Sequence, residues 1–249
     1  MMPIQPRQVK ASQGWAWIVQ GFALFRKHPL IWIVLILIWA LILILLAVIP
    51  LLGPLLVGLL FPVFFAGMML GCRAIEAGED LEIAHLFAGF KHNPGRLVSV
   101  GGVNLVGQIL ITGVMVLMMG GDKLEPIGEA ANAQTPDATL RVLSQLAPAL
   151  LSGAALSLPL MMALWFTPAL LALHDMGPVA ALRLSFQACA QNALAFLLYG
   201  AIVLFLFLVP IPFTLGVGSL IVIPTLIASV YTGYKDIFLP AESAAEQTA

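Results

Sequence analysis

Few side chains in this sequence are of a type and spacing that could do chemistry. The four histidines, His28, His85, His92 and His174, all fall beside apolar runs rather than inside them. A metal site drawn from His85, His92 and His174 would need further ligands, and the sequence offers no completed set at the spacings that zinc sites use. Met115, Met118 and Met119, with Met161 and Met162 further on, are soft-metal ligands by type. In apolar helices, however, thioethers ordinarily fill packing gaps. There is no glycine-rich phosphate loop with its lysine, no histidine pair at metal spacing and no Gly-x-Ser-x-Gly elbow. The expectation is a protein that is not an enzyme and uses no cofactor and no metal.

Other polar groups lie within the apolar runs. Asn104, Gln108, Ser157, Thr225 and Ser229 are the candidate lining of an axial cavity. Hydrogen bonds between helices would account for the same residues. Ionisable groups inside spans normally mark proton or ion paths. None occurs in residues 30–72, 97–119, 149–173 or 193–234, so a proton-coupled carrier has no obvious titrating residue.

The elements that would position these residues follow from composition. Of 249 residues, 61% are hydrophobic and 9% charged, against roughly 25% charged in a soluble domain. Such a chain cannot cover itself with polar surface, and its length is better counted in spans of about 20 apolar residues. Six are predicted, at 30–50, 51–72, 97–119, 149–173, 193–209 and 213–234, with an external loop over 120–145 and a disordered tail over 239–249. About 29 residues precede the first run and no small-residue cleavage site follows it, so the first span is expected to be retained. The net charge is −1 and no basic run exceeds Arg26-Lys27, which removes the electrostatic footprint of a nucleic-acid binder. Cys72 and Cys189, the two cysteines, read as small apolar fillers.

Nine of the eleven Lys and Arg residues, all but Lys123 and Arg141, fall on one side of this topology. Short basic segments resist translocation, so both termini are expected in the cytoplasm of a bacterium, with the chain in the inner membrane. The connections on that side carry amphipathic stripes, each read as an interfacial helix. They comprise Trp15, Ile18, Val19, Phe22 and Phe25; then Ile83, Leu86, Phe87 and Phe90; then Val179, Leu182, Phe186 and Cys189. Trp15, Phe22, Phe25, Phe87, Phe90 and Phe186 are the expected interfacial anchors.

The stripes belong to an internal repeat. Phe22-x-x-Phe25-Arg26-Lys27-His28-Pro29 matches Phe87-x-x-Phe90-Lys91-His92-Asn93-Pro94 and, more loosely, Phe186-x-x-Cys189-Ala190-Gln191-Asn192-Ala193. The even-numbered spans also end alike, at Gly71-Cys72-Arg73, Ala172-Leu173-His174 and Gly233-Tyr234-Lys235. The expected fold is therefore all-α: a polytopic six-helix membrane bundle of three repeats, 12–75, 80–176 and 178–238. Each repeat is an interfacial amphipathic helix plus a helical hairpin, arranged with pseudo-threefold symmetry along the membrane normal.

The aromatic start ending in Phe25-Arg26-Lys27-His28-Pro29, the Gly71-Cys72-Arg73 exit and the closing Ala228-Ser229-x-Tyr231-x-x-Tyr234-Lys235-Asp236-Ile237-Phe238 resemble an uncharacterised family of bacterial six-span inner-membrane proteins. The resemblance covers roughly residues 10–238. It implies a bacterial inner membrane and no particular activity. A weaker similarity links the three hairpins to mitochondrial carriers, but their Pro-x-Asp-x-x-Arg signature is absent. The expected function is that of a non-enzymatic membrane module, an accessory subunit or a factor acting on lipid or on a membrane-protein partner. Membrane lipids are its expected partners, and nucleic acid is not. The alternative is a permease for a small or amphiphilic solute, working through the axial cavity.

Overall fold

Apolar runs of this length can satisfy their backbone groups in a membrane only as helices, and helices are what form. The computed structural model describes residues 4–119 and 136–239. Among the described residues the order is α1 (Gln13–Lys27), α2 (Pro29–Ala47), α3 (Leu52–Glu76), a 3-10 helix (Ile83–Phe90), α4 (Pro94–Met119), α5 (Pro136–Leu164), α6 (Thr167–Leu173), α7 (Pro178–Gln191), α8 (Ala193–Leu208), α9 (Pro210–Phe213) and α10 (Ser219–Phe238). Six stretches among the described residues are long and apolar enough to cross a membrane: Pro29–Ala47, Leu52–Glu76, Pro94–Met119, Val142–Leu173, Ala193–Phe213 and Ser219–Phe238.

Several boundaries differ from those predicted. The loop expected over 120–145 is shorter, since residues 136–145 already belong to α5; residues 120–135 lie outside the described residues, as does the tail from 240 on. Pro136 suits the first helical position and Asp137 the positive end of the helix dipole, so the helix starts there rather than at Ala149. The fourth span is broken at Trp165–Phe166, because Pro168 cannot donate to the carbonyl four residues back. The amide thus left over at Phe166 donates to Ser185 Oγ at 2.9 Å. The sixth span begins at Ser219 instead of 213, after a turn in which Leu215 and Gly216 take positive φ. Most consequential are the far ends of α3 and α10, which run on through Glu76 and Phe238 rather than stopping at 72 and 234. Charges expected in loops therefore stand on helices.

The chain divides into two compact units, Met1–Gly102 with Met162–Ala249, and Val103–Met161. The second is the hairpin of the inner parts of α4 and α5. Large side chains there cover glycines: Leu160 lies over Gly107, and the Met115 sulfur over Gly153. Met115 thus fills a gap, as thioethers do.

The first unit is organised around α1 and α10. Helix α1 has three faces. Gly14, Trp17, Ile18, Gly21, Leu24 and Phe25 are buried, spaced so that they follow one side of a helix. Gly14 meets the backbone of Ala195 and Tyr199 in α8, and Gly21 that of Thr225 and Ser229 in α10. Small residues of this kind let helix backbones touch where lipid provides no hydrophobic drive between helices. Trp15, Val19 and Phe22 form a second, exposed face. Gln13, Gln20 and Lys27, seven apart, form the third.

The interfacial reading of α1 is thereby corrected at Phe25. Its ring is 5% exposed and packed inside the chain, whereas Trp15 is 55% exposed. Phe25 lies on the glycine side of the helix, so the docking of α1 onto α10 carries it inward. Phe22, Phe87, Phe90 and Phe186 remain substantially exposed. In the 3-10 helix, residues three apart eclipse one another. Leu86 and Gly89 face α3 together, with Gly89 against the Val63 carbonyl, while Phe87 and Phe90 flank Phe64. In α7 the buried face is Ala181, Ser185, Ala188 and Cys189; the predicted members Val179 and Phe186 point outward.

Candidate functional site

The closing motif becomes a joint between four parts of the chain because α10 continues in helical register to Phe238. Tyr231 and Lys235, one turn apart, share a face and converge on Glu76, the last residue of α3. Lys235 Nζ donates to Glu76 Oε1 at 2.6 Å, and the Tyr231 hydroxyl to Oε2 at 2.9 Å. The next residue points elsewhere: Asp236 Oδ1 accepts from Arg7 Nη2 at 2.7 Å and Oδ2 from Trp17 Nε1 at 2.9 Å. Arg7 Nε also donates to the Asp236 carbonyl. Thr232 Oγ1 donates to the Trp17 carbonyl at 2.9 Å, and Tyr234 shares a hydrogen bond with His174 Nε2. The N-terminal segment is held again at Asn192, whose amide donates to the Arg7 carbonyl and accepts from the Val9 N–H.

Both carboxylates are largely shielded, with Glu76 20% and Asp236 19% exposed. A charge in such a place is tolerable only when paired and hydrogen-bonded, which each is twice over. His174, just beyond its span, is held below the usual imidazole range, first by desolvation and then by the Arg73 charge. The Cys189 thiol is pushed up to about 12 by burial, which makes it unreactive.

A cleft of about 400 Å³ opens beside this joint, lined by the third face of α1, Gln13, Gln20 and Lys27, together with Arg7, Glu76, Lys235 and Asp236. That volume lies within the range of small-molecule pockets, roughly 300–1,000 Å³. Among the described residues, the side chains of Gln13, Gln20 and Lys27 have no hydrogen-bond or ion-pair partner.

The predicted lining residues fall in different places. Thr225 and Ser229 belong to the first unit and are buried. Ser229 Oγ pairs with the Tyr199 hydroxyl at 2.8 Å and with the Leu226 carbonyl at 2.7 Å, while Thr225 Oγ1 is buried without a partner. Asn104, Gln108 and Ser157 belong to the second unit, where Gln108 is exposed and the other two are half-buried. The histidines are engaged one by one: His85 Nδ1 accepts from the Glu82 N–H, and His92 pairs with the Ala88 carbonyl.

A probable inner membrane protein of Burkholderia thailandensis is 34% identical over 198 residues, which cover 78% of this chain and 73% of that protein. The chain belongs to that family of bacterial inner-membrane proteins. No family model and no solved structure matches. Family membership agrees with the six apolar stretches and with the resemblance drawn from the closing motif.

Sequence reasoning passed over Arg7, Trp17, Glu76 and Asp236 as site residues. The available signal was the spacing of Gly14, Trp17 and Gly21 on one side of α1 and of Gln13, Gln20 and Lys27 on another. The aromatic stripe drew attention to the remaining side.

Proposed function

We propose that this protein is a non-enzymatic inner-membrane module, an accessory subunit or a factor that acts on lipid or on a membrane-protein partner, with both termini in the cytoplasm. The observation that carries the reading is how the polar residues of the closing motif are used. Ser229, Tyr231, Thr232, Tyr234, Lys235 and Asp236 are each engaged with another part of the same chain, so they hold the helices together. The apolar sides of the spans are placed the other way. Of the apolar stretch in α10, 67% is buried within the chain, but only 11% of that in Ala193–Phe213 and 17% of that in α2. Surface of this kind suits lipid and neighbouring helices. The orientation rests on the nine-to-two division of Lys and Arg.

The test is extraction of the tagged chain from native membranes in polymer nanodiscs, with co-extracted proteins and lipids quantified against an unrelated six-span protein. The reading expects one protein in stoichiometric amount or one lipid class enriched. A chain that carries only the bulk lipid mixture and no partner would contradict it.

A further inference from the structure

We propose that the cleft between α1 and the ends of α3 and α10 binds a zwitterionic headgroup, a phosphate joined to a primary ammonium, supplied by a membrane phospholipid. The charges of the lining argue for a ligand of both signs. Along its wall Arg7 is paired with Asp236 and Lys235 with Glu76, and Lys27 stands apart as an unpaired base. The C-terminal ends of α1, α3 and α10, at Lys27, Glu76 and Phe238, add negative dipole ends of about half a charge each. A simple anion would answer Lys27 but leave the unused oxygens of both carboxylates and those dipole ends without a cation, and a simple cation would leave Lys27 unanswered. A ligand carrying both charges answers both.

The groups needed are free to bind. Lys27 has no ion-pair partner among the described residues, and the Gln20 amide two turns before it on the same face is uncommitted, so phosphate oxygens find one cation and one neutral donor on a single side of α1. A carboxylate offers about four acceptor sites. Glu76 uses two, to Lys235 and Tyr231, and Asp236 uses two side-chain sites, to Arg7 and Trp17. What remains can accept from an ammonium group.

The source follows from position. Glu76 is the last residue of one membrane-spanning helix and Lys235 and Asp236 lie in the last turn of another. Alongside, Trp15 and Phe22 present exposed aromatic rings, which is the composition found at headgroup level. The inference rests on the chain being a membrane protein and not on the accessory role, because a permease with this cleft would hold a headgroup equally well.

The test uses the full chain, delipidated in mild detergent and examined by native mass spectrometry. Phosphatidylethanolamine, phosphatidylcholine and phosphatidylglycerol are added at equal concentration. The first should be retained in preference to the other two, because the quaternary ammonium of choline cannot donate a hydrogen bond and glycerol carries no cation. Lys27→Glu should lower retention of the lipid itself, a loss of roughly fivefold or more from reversing one charge near a headgroup, because Lys27 meets the phosphate. Gln20→Leu should weaken it with no change of charge. Both residues are exposed and unpaired, so both variants should melt as the wild type does. Binding of soluble phosphoethanolamine with no retained lipid, abolished by Lys27→Glu, would uphold the headgroup chemistry and move its source to the cytosol. Equal retention of the three lipids, a preference for phosphatidylglycerol, or retention unchanged in Lys27→Glu would overturn the proposal.

Discussion

Gly21 lies directly on the backbone of Ser229: a Cβ at position 21 would stand 2.6 Å from the Ser229 nitrogen and 2.6 Å from the Thr225 carbonyl oxygen. Neither is a flexible side-chain end that could move aside. Gly21→Ala should therefore push α1 off α10 and cost about 1–3 kcal/mol, the usual range for overpacking. Gly113→Ala is the control, since a Cβ there meets nothing within 4 Å and removes a helix-weakening glycine. Thermal unfolding in detergent should show a clear loss for the first variant and none for the second. Equal melting of Gly21→Ala and wild type would mean that α1 does not dock in this way.

The depressed pKa of His174 links stability to pH. In the folded chain its ring stays neutral below the ordinary value of 6.5, so under that pH the unfolded chain binds more protons. The contribution is fully present above about 6.5 and is lost as pH falls toward the lower folded value. The melting temperature should drop as pH is lowered from 7.5 to 5, and His174→Gln should flatten part of that slope. An identical slope in the variant would remove His174 from the account.

The proposed orientation makes a labelling prediction. A cysteine placed at Asn132 should react with an impermeant reagent added to intact cells, and one at Ser12 should not. Modification of Ser12→Cys from outside would reverse the topology.

The sequence made the all-helical class and the six apolar stretches legible because backbone satisfaction in a membrane leaves few other solutions. It also singled out the closing motif. What it hid was the length of the helices that carry it. Hydropathy falls at Arg73 and Lys235, so the spans were expected to end there, yet polar residues remain helical when they pair across a joint as Glu76 and Lys235 do. Helix α1 departs from its expected face for a related reason. Trp15, Phe22 and Phe25 suggested one stripe for the membrane interface, but glycine has no hydropathy signal strong enough to advertise that Gly14 and Gly21 define the docking side and take Phe25 with them. The polar residues Asn104, Gln108, Ser157, Thr225 and Ser229 were chosen for being rare in apolar runs. Rarity alone does not distinguish a cavity lining from a packed hydrogen bond such as that between Ser229 and Tyr199.

The charged residues of the closing motif serve an internal joint, and a double-mutant cycle on Glu76 and Lys235 measures how strongly they do so. With their charged groups 2.6 Å apart and largely shielded, Glu76→Gln and Lys235→Met should each cost about 1.5–3 kcal/mol, as charged hydrogen bonds do. The double variant, which leaves no uncompensated charge, should cost less than their sum by about 1 kcal/mol or more, within the range found for residues in contact. Unfolding of the four proteins in one detergent gives that coupling energy. Costs that add to within about 0.5 kcal/mol, as for independent sites, would contradict the claim that this pair fastens α3 to α10.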